Sequence, residues 1–269
     1  MKFDISDKVA IITGASGALA RSIANSLSSS GVKLALLTRN TDSIESMITE
    51  MRVAEVDVRS YSADILSEAS LREVRKRIVQ DFGRIDILLN SAGGNLPGAT
   101  IEPEETVFDM SMEYFKKVTD LNLNGTVLPS LVFGKIMAQQ KEGAIINYSS
   151  MAVDRAITRV AGYSASKAAM ENFTRWLAVE MASKFGDGIR VNAISPGFFI
   201  GNQNRALLTH PDGSYTDRGH AIIRNTPMGR FGEAEELNGA IHFLCSDAAR
   251  FITGAVLPID GGFSAFSGV

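Results

Sequence analysis

The 269-residue sequence has a single cysteine, so the chain cannot form an internal disulfide or a cluster of thiolate metal ligands. Cys245 ends the stretch Ile241–Cys245, whose apolar pattern indicates one face of a helix. We therefore expect a buried, unreactive thiol. No metal site is predicted from the sequence.

Basic blocks and long apolar runs are also missing. The chain has 27 Lys and Arg against 30 Asp and Glu, a net charge of −3, and no cluster of the kind that holds a nucleic-acid backbone. Nucleic acid is therefore not expected as a main partner. No uninterrupted apolar run reaches ~18 residues, the length of a membrane-spanning helix, and acidic residues stand where a signal peptide would be apolar. We expect a cytoplasmic protein that does not bind membranes.

Short aliphatic or β-branched runs alternate with longer segments of helical period, a pattern typical of repeated βα units and a parallel sheet. Most of the runs are continuously apolar, as strands covered by helices on both faces must be. No linker or repeat divides the sequence, so we predict one doubly wound α/β domain over residues 1–269. The predicted strands are Val9–Thr13, Lys33–Thr38, Glu55–Ser60, Ile85–Asn90, Gly143–Ser149, Ile189–Ile194 and Ala255–Ile259.

Small and polar residues follow four of these strands, in Thr13-Gly14, Asn90–Gly93, Ser149-Ser150 and Ser195–Gly197. In open α/β sheets, ligands bind beyond the carboxyl ends of the strands, so the four clusters indicate one ligand-binding edge. The segment 197–232 is long, mixed in polarity and poor in strand or long-helix signal. Such segments tend to be lids or binding loops, and we predict a substrate loop there.

The first strand leads into a turn of small residues and then a predicted helix, Arg21–Ser30. A helix that begins there directs free N–H groups and its positive dipole end at the turn, where small side chains let a pyrophosphate approach. The alternative is a turn without a ligand, but its position between a buried strand and a helix favours a dinucleotide. The candidate contacts are Gly14, Ser16, Gly17 and Leu19.

The second strand ends in Thr38-Arg39, where an NAD enzyme usually has a carboxylate for the ribose hydroxyls. Because Arg39 can neutralise the 2′-phosphate of NADP, we predict a preference for NADP(H), with NAD(H) also possible. The alternative is that Arg39 stacks on adenine or faces solvent. Asp64, which precedes Ile65, either accepts a hydrogen bond from the adenine amine or caps a helix beginning near Ser67.

Tyr163 and Lys167 are four residues apart in a helical stretch and so share one helix face. A neighbouring ammonium favours the phenolate, lowering the phenol pKa from about 10 towards neutrality. A Tyr–Lys pair of this kind without other functional residues nearby is usually a surface couple. Here Ser150, at a strand end, can hydrogen-bond the same substrate oxygen. Asn122 lies within the long helical pattern Glu113–Gln139, where its amide could hold a water.

These motifs, taken together, resemble the classical short-chain dehydrogenase/reductase family over essentially the whole chain. The matching motifs are the turn Thr13–Ala20, the cluster Asn90–Gly93, Ser150, Tyr163-x-x-x-Lys167, Pro196-Gly197 and Asp260-Gly261-Gly262. The resemblance implies a Rossmann fold and NAD(P) as hydride carrier. It also implies a homo-oligomer, dimer or tetramer, in which the apolar segment Phe251–Val269 and a helix near Ala234–Ser246 build symmetric interfaces.

The resemblance also implies a catalytic tetrad of Asn122, Ser150, Tyr163 and Lys167. Tyr163 would be the acid/base, Ser150 would polarise the carbonyl, Lys167 would lower the phenol pKa and hold the nicotinamide ribose, and Asn122 would anchor a relay water. The further cofactor contacts that it implies are Asn90, Ala92 and Gly93 on the adenine-ribose side, and Pro196 and Gly197 at the nicotinamide.

One departure concerns the turn, where Ala18 and Ala20 replace two glycines of the family pattern. Alanine disfavours positive φ, but helical φ values avoid this difficulty, and Gly17 could supply the flexible position. We therefore expect that the two alanines do not prevent cofactor binding.

Within the family, the chain is most similar to the D-mannonate oxidoreductase (fructuronate reductase) and sugar-acid dehydrogenase branch, through the segments 91–99, 202–208 and 211–214. This implies a small keto-sugar or sugar acid as substrate. A 3-oxoacyl thioester, a cyclic ketone, or NADP sensing without turnover stay open as alternatives. An arginine could hold a substrate carboxylate through two parallel hydrogen bonds, or simply be solvated. The polar candidates are Asn202, Gln203, Asn204, Arg205, Arg218, His220, Arg224, Arg155 and Arg159.

Overall fold

Seven parallel strands form one sheet in the order β3-β2-β1-β4-β5-β6-β7. The computed structural model describes residues 3–201 and 204–268. The strand order reverses between β1 and β4, the usual place for a ligand crevice in such sheets. The strands are β1 Val9–Thr13, β2 Lys33–Thr38, β3 Val58–Ser62, β4 Ile87–Asn90, β5 Gly143–Tyr148, β6 Ile189–Pro196 and β7 Val256–Ile259.

Helices cover both faces of the sheet because side chains alternate along buried strands. Ile12 packs with α1, α2 and α9 on one face, whereas Ile11 packs with α3, α5 and α6 on the other. The predicted doubly wound fold is therefore confirmed. The α-helices are α1 Ala18–Ser28, α2 Glu45–Val53, α3 Glu68–Phe82, α4 Met112–Thr119, α5 Gly125–Gln140, α6 Ala161–Phe185, α7 Arg205–Leu208, α8 Asp217–Arg224 and α9 Asn238–Cys245.

All seven predicted strands exist; β1 and β2 have the predicted ends, and the other five are shifted at one or both ends. β3 begins at Val58 instead of Glu55, because Glu55 has a φ of +60° and closes a turn after α2. β6 continues to Pro196, which pairs with Ile259 of β7. Helix α1 begins at Ala18 instead of Arg21, so the helix starts closer to the glycine turn than predicted.

The predicted single helix over Glu113–Gln139 is wrong. A π-helical turn, Asp120–Asn124, separates α4 from α5. The Asn122 amide donates a 2.8 Å hydrogen bond to the Val118 carbonyl. Such a side chain competes with the regular helical ladder and distorts it.

The segment 197–232 contains the short helices α7 and α8 and has a small core of its own. Leu208, Ile222 and Phe231 form its buried centre. The segment follows β6 directly, so it lies at the carboxyl edge of the sheet. Within the described ranges, no helix is long and apolar enough to span a membrane.

Candidate active site

The turn after β1 is shaped by a close contact between backbones. Gly14 has a φ of +65°, and a Cβ there would lie 2.7 Å from the Ala92 Cα. Only glycine fits both the left-handed conformation and this approach. We expected Gly17 to supply the position that needs the conformational freedom of glycine. Gly17 has a φ of −73° and forms the N-cap of α1, so Gly14 is that position instead.

The N-terminus of α1 has no side-chain cap. The first N–H groups of a helix lack partners within it, and here they lie beyond the end of β1 beside exposed Ser16 and half-buried Leu19. Ala18 is helical, so its methyl group causes no strain. Free N–H groups at a positive dipole end fit a pyrophosphate. The structure therefore suits a dinucleotide despite the two alanines.

The predicted adenosine contacts lie at the ends of β2 and β3. Arg39 is exposed at the end of β2. The Asp64 carboxylate accepts a 2.9 Å hydrogen bond from the Leu66 N–H, and Ser67, not Asp64, caps α3. The Ile65 side chain fills the space beside Gly125, where a Cβ would lie 2.7 Å from it.

The Asn90 side chain is buried inside the sheet. Its amide is buried between strands and donates to Ser130 at 2.9 Å and to Asn147 at 2.8 Å. The amide therefore joins an internal polar network, and a contact of Asn90 with the adenine-ribose side stays a prediction. Ala92, whose N–H bonds the Thr13 hydroxyl at 3.1 Å, lies against the turn as expected.

Gly93 lies against the predicted tetrad. A Cβ on Gly93 would stand 2.7 Å from Asn122 Oδ1 and 3.4 Å from Lys167 Nζ. The Asn122 amide donates to the Gly94 carbonyl at 2.8 Å and accepts from the Gly94 N–H at 2.9 Å. Both amide hydrogens are thus used, one on Gly94 and one on Val118. Asn122 ties the loop after β4 to the π-helical turn, and a relay water anchored by Asn122 stays a prediction.

The buried Ser150 hydroxyl lies beside the half-buried Tyr163 phenol. The Ser150 hydroxyl accepts a 3.2 Å hydrogen bond from the Ala152 N–H. Burial raises the pKa of Tyr163, and a side-chain hydrogen bond with Ser150 acts in the opposite direction. The sequence predicted a lowered phenol pKa, but burial outweighs this in the protein alone because the phenolate loses hydration.

Lys167 is 4% exposed and lies under the phenol ring. Its ammonium donates a 2.6 Å hydrogen bond to the Tyr148 carbonyl at the end of β5, and its Nζ is 5.6 Å from the centre of the Tyr163 ring. Burial lowers the pKa of Lys167 to about 8. The ammonium is therefore still mostly protonated at pH 7, and its positive charge favours the phenolate form of Tyr163.

Pro196 and Gly197 lie at the end of β6, next to the terminal glycine motif. The Gly197 N–H bonds the Ile259 carbonyl at 2.9 Å, and a Cβ on Gly197 would lie 2.6 Å from the Asp260 Cα. The Pro196 carbonyl accepts a 3.3 Å hydrogen bond from Met151, the residue after Ser150. This contact joins the predicted nicotinamide side to the tetrad.

Sequence reasoning missed the support behind Ser150. The Ser149 hydroxyl donates a 2.6 Å hydrogen bond to Glu171, which is buried on α6 and also accepts from Arg175 at 3.0 Å. Glu171 is four residues after Lys167, on the same helix face, so helical spacing was the available signal.

Most polar candidates on the substrate side are exposed or already bonded. Arg205, His220 and Arg224 are exposed, and the Asn204 amide is bonded to the backbone of its own loop. The guanidinium groups of Arg155, Arg159 and Arg218 each donate hydrogen bonds to other residues of the chain. Asn202 and Gln203 lie outside the described residues. In ranges 3–201 and 204–268, no group of three or more His, Cys, Asp or Glu side chains is placed to hold a metal ion.

Comparison with known proteins agrees with this geometry. A family model described as enoyl-(acyl carrier protein) reductase matches residues 14–264. An uncharacterised oxidoreductase of Haemophilus influenzae is 43% identical, over 99% of this chain and 96% of the relative.

Two solved structures are also similar. A Haemophilus influenzae protein, provisionally assigned as a D-mannonate oxidoreductase and solved with NAD, is 42% identical with a TM-score of 0.92, over 99% of this chain and 98% of its own. A gluconate 5-dehydrogenase of Burkholderia cenocepacia J2315, solved with NADP and tartrate, is 26% identical with a TM-score of 0.86, over 98% of both chains. The chain belongs to the short-chain dehydrogenase/reductase family and is an oxidoreductase that uses a nicotinamide cofactor.

Proposed function

We propose that the protein transfers a hydride between a nicotinamide and the carbonyl or hydroxyl carbon of a small polyhydroxylated substrate, a keto-sugar or sugar acid such as D-fructuronate or D-mannonate. The observation that carries the chemistry is the hydrogen-bonded pair of Ser150 and Tyr163, with the buried Lys167 ammonium under the phenol ring. The similar proteins assigned to mannonate and gluconate support the substrate class.

The reaction requires a proton to move with the hydride. The nicotinamide, when bound, supplies or accepts the hydride. In the reducing direction, the Tyr163 hydroxyl gives its proton to the substrate oxygen, while Ser150 donates a hydrogen bond to the same oxygen. Lys167, which with a pKa of about 8 is mostly protonated at pH 7, stabilises the resulting phenolate through its positive charge. In the oxidising direction, the phenolate takes the proton back.

We propose that NADP(H) is preferred and that NAD(H) is also accepted. Arg39 is exposed at the end of β2 and forms no ion pair within the described part of the chain. Its guanidinium is therefore free for a 2′-phosphate. The similar Haemophilus influenzae structure contains NAD, which makes a direct comparison of the two cofactors necessary.

A homo-oligomer is part of the proposal. Leu131 on α5 and both Trp176 and Val179 on α6 are more than half exposed, and large apolar side chains grouped on a surface mark association sites. Light scattering of the purified protein tests this. A cytoplasmic location stays a prediction.

The test of function is steady-state kinetics with NADH and NADPH on four classes of carbonyl: keto-sugar acids, neutral keto-sugars, 3-oxoacyl thioesters and cyclic ketones. The proposal requires the highest kcat/KM among the two sugar classes. A preference for the thioester or the cyclic ketone would establish the alternative substrate classes. A protein that binds a nicotinamide but reduces none of the four would be a sensor instead.

A further inference from the structure

The guanidinium of Arg218 contacts the segment that joins the two reacting hydroxyl residues. Arg218 lies in the first turn of α8, and its Nη1 donates a 3.3 Å hydrogen bond to the Thr158 hydroxyl. Thr158 lies between Ser150 and Tyr163 in the chain. Helix α8 therefore holds a cation against the stretch of chain between Ser150 and Tyr163.

The neighbouring arginines are already occupied. Arg155 donates to the carbonyls of Ser264 and Phe266, which fixes the C-terminal segment. Arg159 donates to the Ile101 carbonyl at 2.7 Å and forms an ion pair with Glu102. In both residues the Nε–Nη2 edge of the guanidinium is therefore already bonded to this chain.

Arg218 is different because it has no anionic partner. Among the ion pairs formed by the described residues, none includes Arg218. Nη1 is its one bonded nitrogen in the described ranges, so the edge formed by Nε and Nη2 is free. Partial burial and the positive charge of Arg159 both lower the pKa of Arg218.

The position of Arg218 in its helix is also unfavourable. The first turn of a helix carries a partial positive charge, so a cation there is destabilising. Asp217 precedes Arg218 but does not pair with it in this structure. A cation that is unfavourably placed in its helix and has no anionic partner in the protein is typical of a functional position.

We propose that the free Nε–Nη2 edge of Arg218 binds the carboxylate of the substrate, so that the enzyme selects a keto-sugar acid over a neutral keto-sugar. This inference rests on the proposed function. The planar edge matches a carboxylate through two parallel N–H···O bonds, while Thr158 fixes the orientation of the guanidinium through Nη1. Arg218 is thus a specificity-determining residue, distinct from the groups that exchange the proton.

The kinetic test compares Arg218→Gln with Arg224→Gln, a matched change on the same helix at an exposed arginine. The substrates are D-fructuronate and D-fructose, which differ in a carboxylate against a hydroxymethyl group. Loss of two charge-assisted bonds predicts about a 100-fold fall in kcat/KM on D-fructuronate for Arg218→Gln. The value on D-fructose should stay unchanged, and Arg224→Gln should match the wild type on both. Arg218→Lys, which keeps the charge but loses the planar edge, should lie between wild type and Arg218→Gln.

A binding measurement separates this inference from the proposed function. Calorimetry measures the affinity of D-gluconate for the protein saturated with reduced nicotinamide, a combination that cannot react. Wild type should bind D-gluconate, and Arg218→Gln should lose that binding. Three results would overturn the carboxylate assignment while leaving the oxidoreductase function intact. The two proteins could bind D-gluconate equally, or kcat/KM could fall equally on D-fructuronate and D-fructose. The third result is a higher kcat/KM on a sugar phosphate than on the sugar acid. Arg218-dependent binding without turnover of any sugar would support the carboxylate site and refute the proposed reaction.

Discussion

The Lys167 ammonium and the Tyr148 carbonyl are 2.6 Å apart in a site from which water is almost excluded. The hydrogen bond anchors the cation to the end of β5, directly before Ser149 and Ser150. One strand end therefore sets the positions of both the ammonium and the hydroxyl that contact the reacting region. Burial of this cation lowers the free energy of unfolding at pH values where Lys167 is protonated.

The first prediction concerns the free energy of unfolding as a function of pH. Burial lowers the pKa of Lys167 from 10.5 to about 8. Below pH 8 both states hold the proton, and the folded state bears the full cost of the buried cation, about 3 kcal/mol. Between the two pKa values the unfolded chain holds a proton that the folded chain has released, so stability rises with pH.

Urea denaturation of wild type and Lys167→Met, without added nicotinamide, measures this effect. The difference in unfolding free energy, wild type minus variant, should rise by about 2 kcal/mol between about pH 8 and pH 9.5. Subtracting the variant removes the contributions of other titrating groups. A difference that stays constant with pH would show that Lys167 keeps its ordinary pKa in the folded protein.

The second prediction concerns the acid/base. Tyr163→Phe should lower kcat by about 10³-fold, because the proton transfer loses its positioned donor. The affinity for reduced nicotinamide, measured by fluorescence, should not change. Tyr114→Phe, at a more exposed tyrosine on α4, is the control and should keep full activity. Retained turnover in Tyr163→Phe would remove the phenol from the mechanism.

The sheet and the shared helix face of Tyr163 and Lys167 could be predicted because their signals are local. Continuous apolar runs identified the strands, and the spacing of Tyr163 and Lys167 identified a shared helix face. The hydrogen-bond partners of the Asn90 and Asn122 amides could not be predicted, since these partners lie far along the chain. Asn122 bonds Gly94, and Asn90 bonds Ser130 and Asn147. Which partner a buried amide finds is decided by packing between elements, and this leaves no periodic pattern in the sequence.

The third prediction concerns the turn after β1. Gly14→Ala combines an unfavourable positive φ with overlap against the Ala92 backbone. Gly83→Ala is a matched control, because Gly83 also has a positive φ, +79°, but nothing lies within 4 Å of the added methyl group. The control should lose about 1–2 kcal/mol of stability, and Gly14→Ala about 1–3 kcal/mol more. Thermal and urea unfolding measure both. Equal losses would mean that the approach of the two backbones is looser than the structure shows.

The fourth prediction concerns the choice of cofactor, which depends on Arg39. Its guanidinium is exposed, without an ion pair in the described ranges, at the strand end where the adenosine ribose is expected. Removing a charge-assisted contact to the 2′-phosphate should weaken NADPH binding by at least about tenfold. NADH lacks this phosphate, so its affinity should not change.

Fluorescence titration of Arg39→Ala with both reduced cofactors tests this prediction. Arg52→Ala is the control, because Arg52 is an exposed arginine in the last turn of α2, at the opposite end of the sheet. It should bind both cofactors like the wild type. If Arg39→Ala weakened NADH and NADPH equally, the guanidinium would be stacking on the adenine that both cofactors share. The preference for NADP(H) would then have no basis in this residue.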